Sequence, residues 1–404
     1  MGAGRVEIVP ADPADVRRRV LAEVDRWAGK LVEVSHDLHA HPEIGYTEHH
    51  AHDALTAVLD QGGLTVERHA HGLDTAFAAT AGSGPDGAHV AVLCEYDALP
   101  QIGHACGHNV IGAAGLGAGL AAAAVAEELG GRLTVLGTPA EEGGGGKIHL
   151  AAAGAFDGVD AALMIHPAGA DLTRIHAIAV HEARVIYHGL ASHAASAPEL
   201  GRNALDAAVL GYMNVAALRQ HMGSGERVHG YFTEAGTAAN VVPSRTAATW
   251  FVRSPTLDGL EQLEARFLTC LEAGAAAAGC TMEVEWPNPV YADMVDNPVL
   301  LERYVANAAT IGRTVIEPTA ELRVTGSTDM GNISHLVPSI HPIIKVSPPD
   351  VSIHTEAFER WAGSPEGDRA VIDGAKAMAL TIVDLWLDPD LVTAARAAHA
   401  APHP

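Results

Sequence analysis

Glu141 and Glu142 stand side by side in Thr138-Pro-Ala-Glu-Glu-Gly-Gly-Gly-Gly, directly after an apolar run, Leu133–Leu136, that reads as a buried strand. Adjacent side chains at a strand end leave on opposite sides of the chain. One carboxylate can therefore grip a metal ion while the other faces the water that the ion activates, the division of labour of a metallohydrolase. An isolated Glu-Glu pair is far more often a solvated acidic turn, so the weight falls on the other donors. Gly103-His-Ala-Cys-Gly-His-Asn109 places Cys106 and His108 two apart, just before a long helical pattern. His166 ends the apolar strand 161–165 and precedes Pro167, and Ser352-Ile-His-Thr-Glu356 supplies His354. Imidazole, thiolate and carboxylate together suit Zn²⁺ and its neighbours. Five donors (Cys106, His108, Glu142, His166 and His354) exceed the four of a closed structural site. They suit two ions about 3.5–4 Å apart that share a ligand and a water. Cys106 and His108 also admit a cysteine nucleophile beside its base, a reading that leaves the paired glutamates and the remaining histidines without a role.

The elements that would position these donors alternate. A helix with apolar positions Val20, Leu21, Val24, Trp27, Leu31 and Val34 leads to His39-Ala-His-Pro-Glu43 and a second helix with Leu55 and Leu59. Strands near 75–80 and 89–95, a helix over 109–129, strand 133–137, a helix near 147–154 and strand 161–165 follow. Strands separated by helices predict an α/β domain with a mostly parallel sheet, whose ligands gather outside the strands' carboxyl ends. From about residue 181 to 289 the order becomes strand, helix, strand, strand, helix, strand, a ferredoxin-like unit. The helix near 298–308, a strand over 340–346 and a final helix over 368–385 return to the first pattern. The expected division is therefore 1–181 with 294–404 as a discontinuous catalytic domain and 182–293 as an inserted α/β domain. Residues after about Val392 read as a frayed helix or tail.

Bulk properties narrow the partners. A net charge of −24 argues against nucleic acid or an anionic membrane surface. The most apolar run, Val110–Val125, is rich in Ala and Gly and ends in Glu127-Glu128, which reads as a buried helix and not as a membrane span. Met1–Asp15 is polar and has no apolar signal core, so the cytoplasm is the expected compartment. Four cysteines make no disulfide scaffold in 404 residues, and Cys94, Cys270 and Cys280 read as structural. Gly143–Lys147 lacks the frame of a phosphate-binding loop, and Gly115–Gly119 fails the spacing of a dinucleotide fingerprint.

Cys-Gly-His-Asn, Glu-Glu-Gly-Gly-Gly, His-Pro and the distal His-Thr-Glu together resemble the M20 family of metallopeptidases and amidohydrolases, and within it the branch acting on dipeptides and aminobenzoyl-glutamate. Leu38-His-Ala-His-Pro-Glu43, Glu95-Tyr-Asp-Ala-Leu-Pro100 and Gly326-Ser-Thr-Asp-Met-Gly-Asn332 agree, and the similarity spans about 16–391. The resemblance implies two divalent ions, Zn²⁺ first with Mn²⁺ or Co²⁺ as alternatives. It assigns Cys106, His108, Glu142, His166 and His354 as ligands, with Cys106 bridging, and Glu141 as the general base. Asp97 is expected to orient a ligand, and Asn109 stands where many relatives carry Asp. The inserted domain would be a lid and dimerisation domain, from which His193 reaches into a partner subunit's site to stabilise the oxyanion, making the protein a homodimer. Asn240 and Arg253, thirteen apart, resemble lid residues that hold the substrate's polar groups and terminal carboxylate, and Thr328 would line the leaving-group pocket. The implied reaction is hydrolysis of a dipeptide or N-acyl amino acid with a free carboxylate. A specialised conjugate such as aminobenzoyl-glutamate is the alternative substrate. A catalytically silent metal- or peptide-binding module predicts loss of Glu141, which is present.

Overall fold

A computed structural model describes residues 12–84, 87–320, 322 and 324–401, so most of the polar N-terminal segment lies outside the described residues. The chain forms two compact units. The first takes the chain up to His176, Val295–Val324 and the chain from Ile333 onward; the second takes Ala177–Met294 and Thr325–Asn332.

The first unit is built on a six-stranded sheet in the order Thr65–Arg68, Phe77–Ala81, Arg132–Gly137, His89–Cys94, Ala161–Leu163, Ser339–Ile340. The last four strands are mutually parallel, and Phe77–Ala81 runs antiparallel to both of its neighbours, Thr65–Arg68 and Arg132–Gly137. The chain runs from His89–Cys94 to a neighbour on one side, then crosses to Ala161–Leu163 on the other. Three parallel strands thus end together where the strand order reverses, the usual place for a site in such a sheet. The expected strand over 340–346 is interrupted. Ser339–Ile340 and Ile343–Lys345 pair with Ala161–Leu163 and His166–Ala168 respectively, and between them Pro342 has no N–H to give the ladder.

Helices supply the rest of the core. Asp12 caps Pro13–Ala40 by accepting the Ala14 N–H at 3.1 Å, and Val16, Val20, Val24, Leu31, Val34 and Leu38 bury one face at helical spacing. His108–Leu129 is long and apolar enough to cross a membrane, yet 89% of its apolar window is buried inside the unit, against Pro13–Ala40, Pro365–Leu387 and the sheet. Its glycines permit that fit: a Cβ on Gly115 would lie 2.7 Å from the Leu93 carbonyl oxygen. The C-terminal segment is a helix, Pro389–His399, one of the two expected forms, but it is anchored and not frayed. Asp388 caps it, Ala395 is buried, and Arg396 pairs with Asp160.

The second unit is a four-stranded antiparallel sheet ordered Thr281–Glu285, Ala179–His188, Arg245–Ser254, Arg227–Glu234, with helices Ala204–Leu218 and Leu257–Ala277. Trp250, Phe267 and Leu271 anchor its own core.

Candidate metal centre

All five donors named from the sequence converge within the first unit, at the carboxyl ends of the parallel strands. The Cys106 sulfur lies 3.4 Å from His166 Nε2 and 3.3 Å from His354 Nε2. Glu142 Oε1 is 3.4 Å from His354 Nε2 and 3.9 Å from His108 Nε2. Cys106, His108 and His166 form one group of converging ligand atoms, and Cys106, Glu142 and His354 form another. Cys106 is common to both.

Local structure explains each placement. Gly107, at φ +80°, turns the chain between the two donors of Cys-Gly-His, and a Cβ there would lie 2.5 Å from Pro167 Cγ. His108 opens the buried helix, and its Nδ1 is 3.0 Å from Asp97 Oδ1. The other Asp97 oxygen accepts the Glu142 N–H at 3.0 Å, so one carboxylate ties together two ligand-bearing segments. Glu141 and Glu142 follow Ala140, held at φ +58°, whose N–H donates to buried Glu48 at 2.8 Å. His166 directs Nδ1 to the Pro167 carbonyl oxygen at 2.9 Å, which turns Nε2 toward Cys106. His354 adopts φ +62° and is held by a 2.8 Å bond from its N–H to the Ala105 carbonyl. A non-glycine residue in this region is strained, and such strain gathers at functional sites. Asn109 faces away, donating to Ser35 Oγ and the Ala362 carbonyl at 2.9 and 3.1 Å.

Electrostatics favour a cation among these groups. Burial, then the Glu142 charge, pushes the Cys106 thiol well above its usual range. Burial, then His108, lowers His166 to about 4, which keeps its ring neutral and available as a ligand. Burial opposes ionisation of Glu142, but the bond from His354 and the charges of His108 and His354 outweigh it, and the carboxylate is held below its ordinary range. Glu141 is buried, with Oε2 3.9 Å from His108 Nε2.

Sequence reasoning missed four buried groups around this cluster. Glu95 approaches His108, Lys147 pairs with Glu95, Glu48 holds the Ala140 turn, and His341 stacks on His166 with ring centroids 5.5 Å apart. Lys147 ends the glycine run that lacks a phosphate-loop frame, and its signal was a lone charge at an otherwise apolar helix start.

The other named residues lie in the second unit. His193 is exposed, and its Nδ1 accepts the N–H groups of Ala195 and Ser196 at 3.2 Å each, which leaves Nε2 to carry the proton of the neutral ring. Ala194 N–H donates to the Asn240 carbonyl at 3.0 Å, so the His193 and Asn240 loops are neighbours. Arg253 donates from Nη1 to Ser327 Oγ at 3.2 Å, and burial lowers its pKa. Thr328 is buried, its hydroxyl accepting the Met330 N–H at 3.2 Å.

Nitrogen, sulfur and carboxylate donors at the strand ends of an α/β sheet, with a second carboxylate alongside, are the layout of a hydrolytic enzyme. The chain belongs to peptidase family M20/M25/M40, whose sequence profile matches residues 91–383, and it is a hydrolase acting on amide or peptide bonds. A protein of Mus musculus described as Xaa-Arg dipeptidase is 39% identical over 395 residues, 94% of this chain and 91% of its own length. A p-aminobenzoyl-glutamate hydrolase component from Escherichia coli is 32% identical over 282 residues, 65% of this chain and 58% of its own. A dinuclear metal binding peptidase of the M20 family from Bacillus subtilis superposes with a TM-score of 0.71 at 19% identity, covering 90% of this chain and 99% of that one. The last likeness shows the shared mixed α/β fold.

Proposed function

We propose that this protein is a dinuclear metal-dependent dipeptidase that removes a C-terminal residue bearing a free carboxylate, with a preference for a basic residue. The observation that carries this reading is the convergence of Cys106, His108, Glu142, His166 and His354 on one buried cluster, with Glu141 beside it. The five residues would hold two ions, and the donor set fits: borderline-soft nitrogen and sulfur with one hard oxygen match Zn²⁺, Mn²⁺ or Co²⁺. The ions would supply a lowered water pKa and polarisation of the scissile carbonyl. Glu141 takes the proton from the attacking water and returns it to the leaving amine. Asp97 fixes the His108 tautomer and the Glu142 backbone.

The second unit acts as lid and dimerisation domain in this reading. His193 donates from Nε2 to the developing oxyanion in the partner subunit's site, and the two N–H groups on its Nδ1 favour that tautomer. Arg253 and Asn240 grip the terminal carboxylate and the substrate's polar groups, and Thr328 borders the leaving group. A second copy of the chain finds an apolar surface on this unit: Val209, Leu210 and Met213 are exposed on Ala204–Leu218, and Tyr231 and Phe232 on the edge strand Arg227–Glu234. The preference for a basic residue draws on the mouse relative's described activity and on the chain's net charge of −24.

A substrate panel tests this directly. Zn²⁺-, Mn²⁺- and Co²⁺-loaded protein is assayed on dipeptides ending in Arg, Lys, Glu or Leu, on N-acetyl amino acids and on p-aminobenzoyl-glutamate. The expected result is the highest kcat/KM on dipeptides ending in Arg or Lys, abolished by a chelator and restored by metal. Highest turnover of p-aminobenzoyl-glutamate would favour the conjugate-hydrolase alternative instead.

A further inference from the structure

Two buried polar atoms at this centre face each other with no donor between them. His108 Nδ1 is engaged by Asp97 Oδ1 at 3.0 Å, so in the neutral ring the lone pair is on Nε2. Glu95 Oε2 lies 3.5 Å from that nitrogen. Neither atom has a hydrogen-bond partner among the described residues, and both side chains are wholly buried. With His108 neutral, the form in which it can hold a metal, a carboxylate oxygen and an imidazole lone pair so placed repel each other, and a buried polar atom without a partner is costly. A cation beside both atoms removes both penalties.

The remaining Glu95 oxygen is ion-paired, though outside hydrogen-bond geometry. Oε1 is 2.5 Å from Nζ of Lys147, which has no exposed surface either. The two residues meet for topological reasons. Glu95 directly follows His89–Cys94, and Lys147 sits in the first turn of Gly146–Ala152, after the loop that leaves the neighbouring parallel strand Arg132–Gly137. Gly146 makes the turn possible: a Cβ there would lie 1.8 Å from the Pro139 carbonyl oxygen. The lysine fixes one carboxylate oxygen and leaves the other aimed at His108.

We propose that Glu95 is a sixth protein donor of the metal centre, on the His108 side, and that Lys147 is the positioning residue that holds it there. This rests on the two-ion reading above. Bonds from such ions to carboxylate oxygen and imidazole nitrogen are about 2.0–2.2 Å, so donors roughly 3–4 Å apart can share one ion. The charges agree. Cys106 as thiolate with Glu95, Asp97, Glu141 and Glu142 supplies the negative charge, and two divalent ions with Lys147 balance it.

The test titrates metal-free protein with Co²⁺, reading stoichiometry and affinity by calorimetry and coordination by visible absorption. Wild type, Glu95→Gln and the double variant Glu95→Gln/Lys147→Met are compared. Glu95→Gln is expected to weaken one of the two ions at least about 10-fold and to change the ligand-field bands of that ion. The double variant, which restores the net charge of the pair, is expected to recover neither. It also removes the buried ion pair whole, which proteins usually tolerate, so a folded variant without Glu95 remains if the single substitution does not fold. Recovery of wild-type affinity and spectrum in the double variant would show that Glu95 acts only through its charge, and unchanged binding in Glu95→Gln would exclude any role at the metal; either overturns the proposal while leaving the two-ion centre standing. Wild-type protein that binds no Co²⁺ at all would remove the centre itself.

Discussion

Glu141→Gln lowers kcat by roughly 10²–10⁴-fold, the usual contribution of a positioned general base, while metal content stays at the wild-type level. The substitution keeps the side chain's size and one carbonyl oxygen but removes the ability to accept a proton. Glu141 sits with Oε2 3.9 Å from His108 Nε2, next in sequence to a proposed ligand, on a turn held by Glu48 and Asp97. Those two carboxylates bond backbone atoms of Ala140 and Glu142, so the turn survives the change. Steady-state kinetics paired with metal analysis separates the roles. A large loss of kcat with both ions retained identifies a base, and a loss of ions identifies a ligand. Turnover within a few-fold of wild type would remove Glu141 from the proton-transfer role.

Cys106→Ser lowers metal affinity by more than the roughly 10–100-fold typical of losing an outer-shell partner, and activity falls with it. Cys106 is the one residue shared by both groups of converging ligand atoms around His166 and His354, so its loss weakens the hold on both ions. Serine is no substitute because its hydroxyl stays protonated near neutral pH. Cys106→Asp provides the contrast: an anionic oxygen donor is expected to restore binding and part of the activity. A cysteine nucleophile predicts no recovery with Asp. Metal content after gel filtration, with kcat for each variant, reads the difference.

The legible part of this site was the part written in local sequence. Glu141 and Glu142 follow an apolar strand into glycines, and Cys106 and His108 precede an unbroken helical pattern, so their strand-end placement is legible in the sequence alone. His166 and His354 were reached through their motifs, and their convergence on Cys106 depends on parallel pairing between strands far apart in sequence. Glu95 and Lys147 stayed hidden for the same reason: their contact joins two segments separated by the whole buried helix and exists only because His89–Cys94 and Arg132–Gly137 are neighbours. The antiparallel unit is readable as an order of elements because strand Arg245–Ser254 alternates toward its end and helix Leu257–Ala277 is amphipathic. The C-terminal segment is a helix, one of the two expected forms, but its firm anchoring is not legible because it comes from tertiary contacts, the burial of Ala395 and the Arg396–Asp160 pair, which local sequence does not announce.

The central claim is that five scattered side chains form one two-ion site. Anomalous diffraction from crystals grown with Zn²⁺, recorded on either side of the zinc absorption edge, tests it most directly. Two strong peaks flanking the Cys106 sulfur, about 3.5–4 Å apart and within bonding distance of His108, Glu142, His166 and His354, are the predicted result. Zinc-edge density absent from this cluster while present elsewhere on the molecule would contradict it.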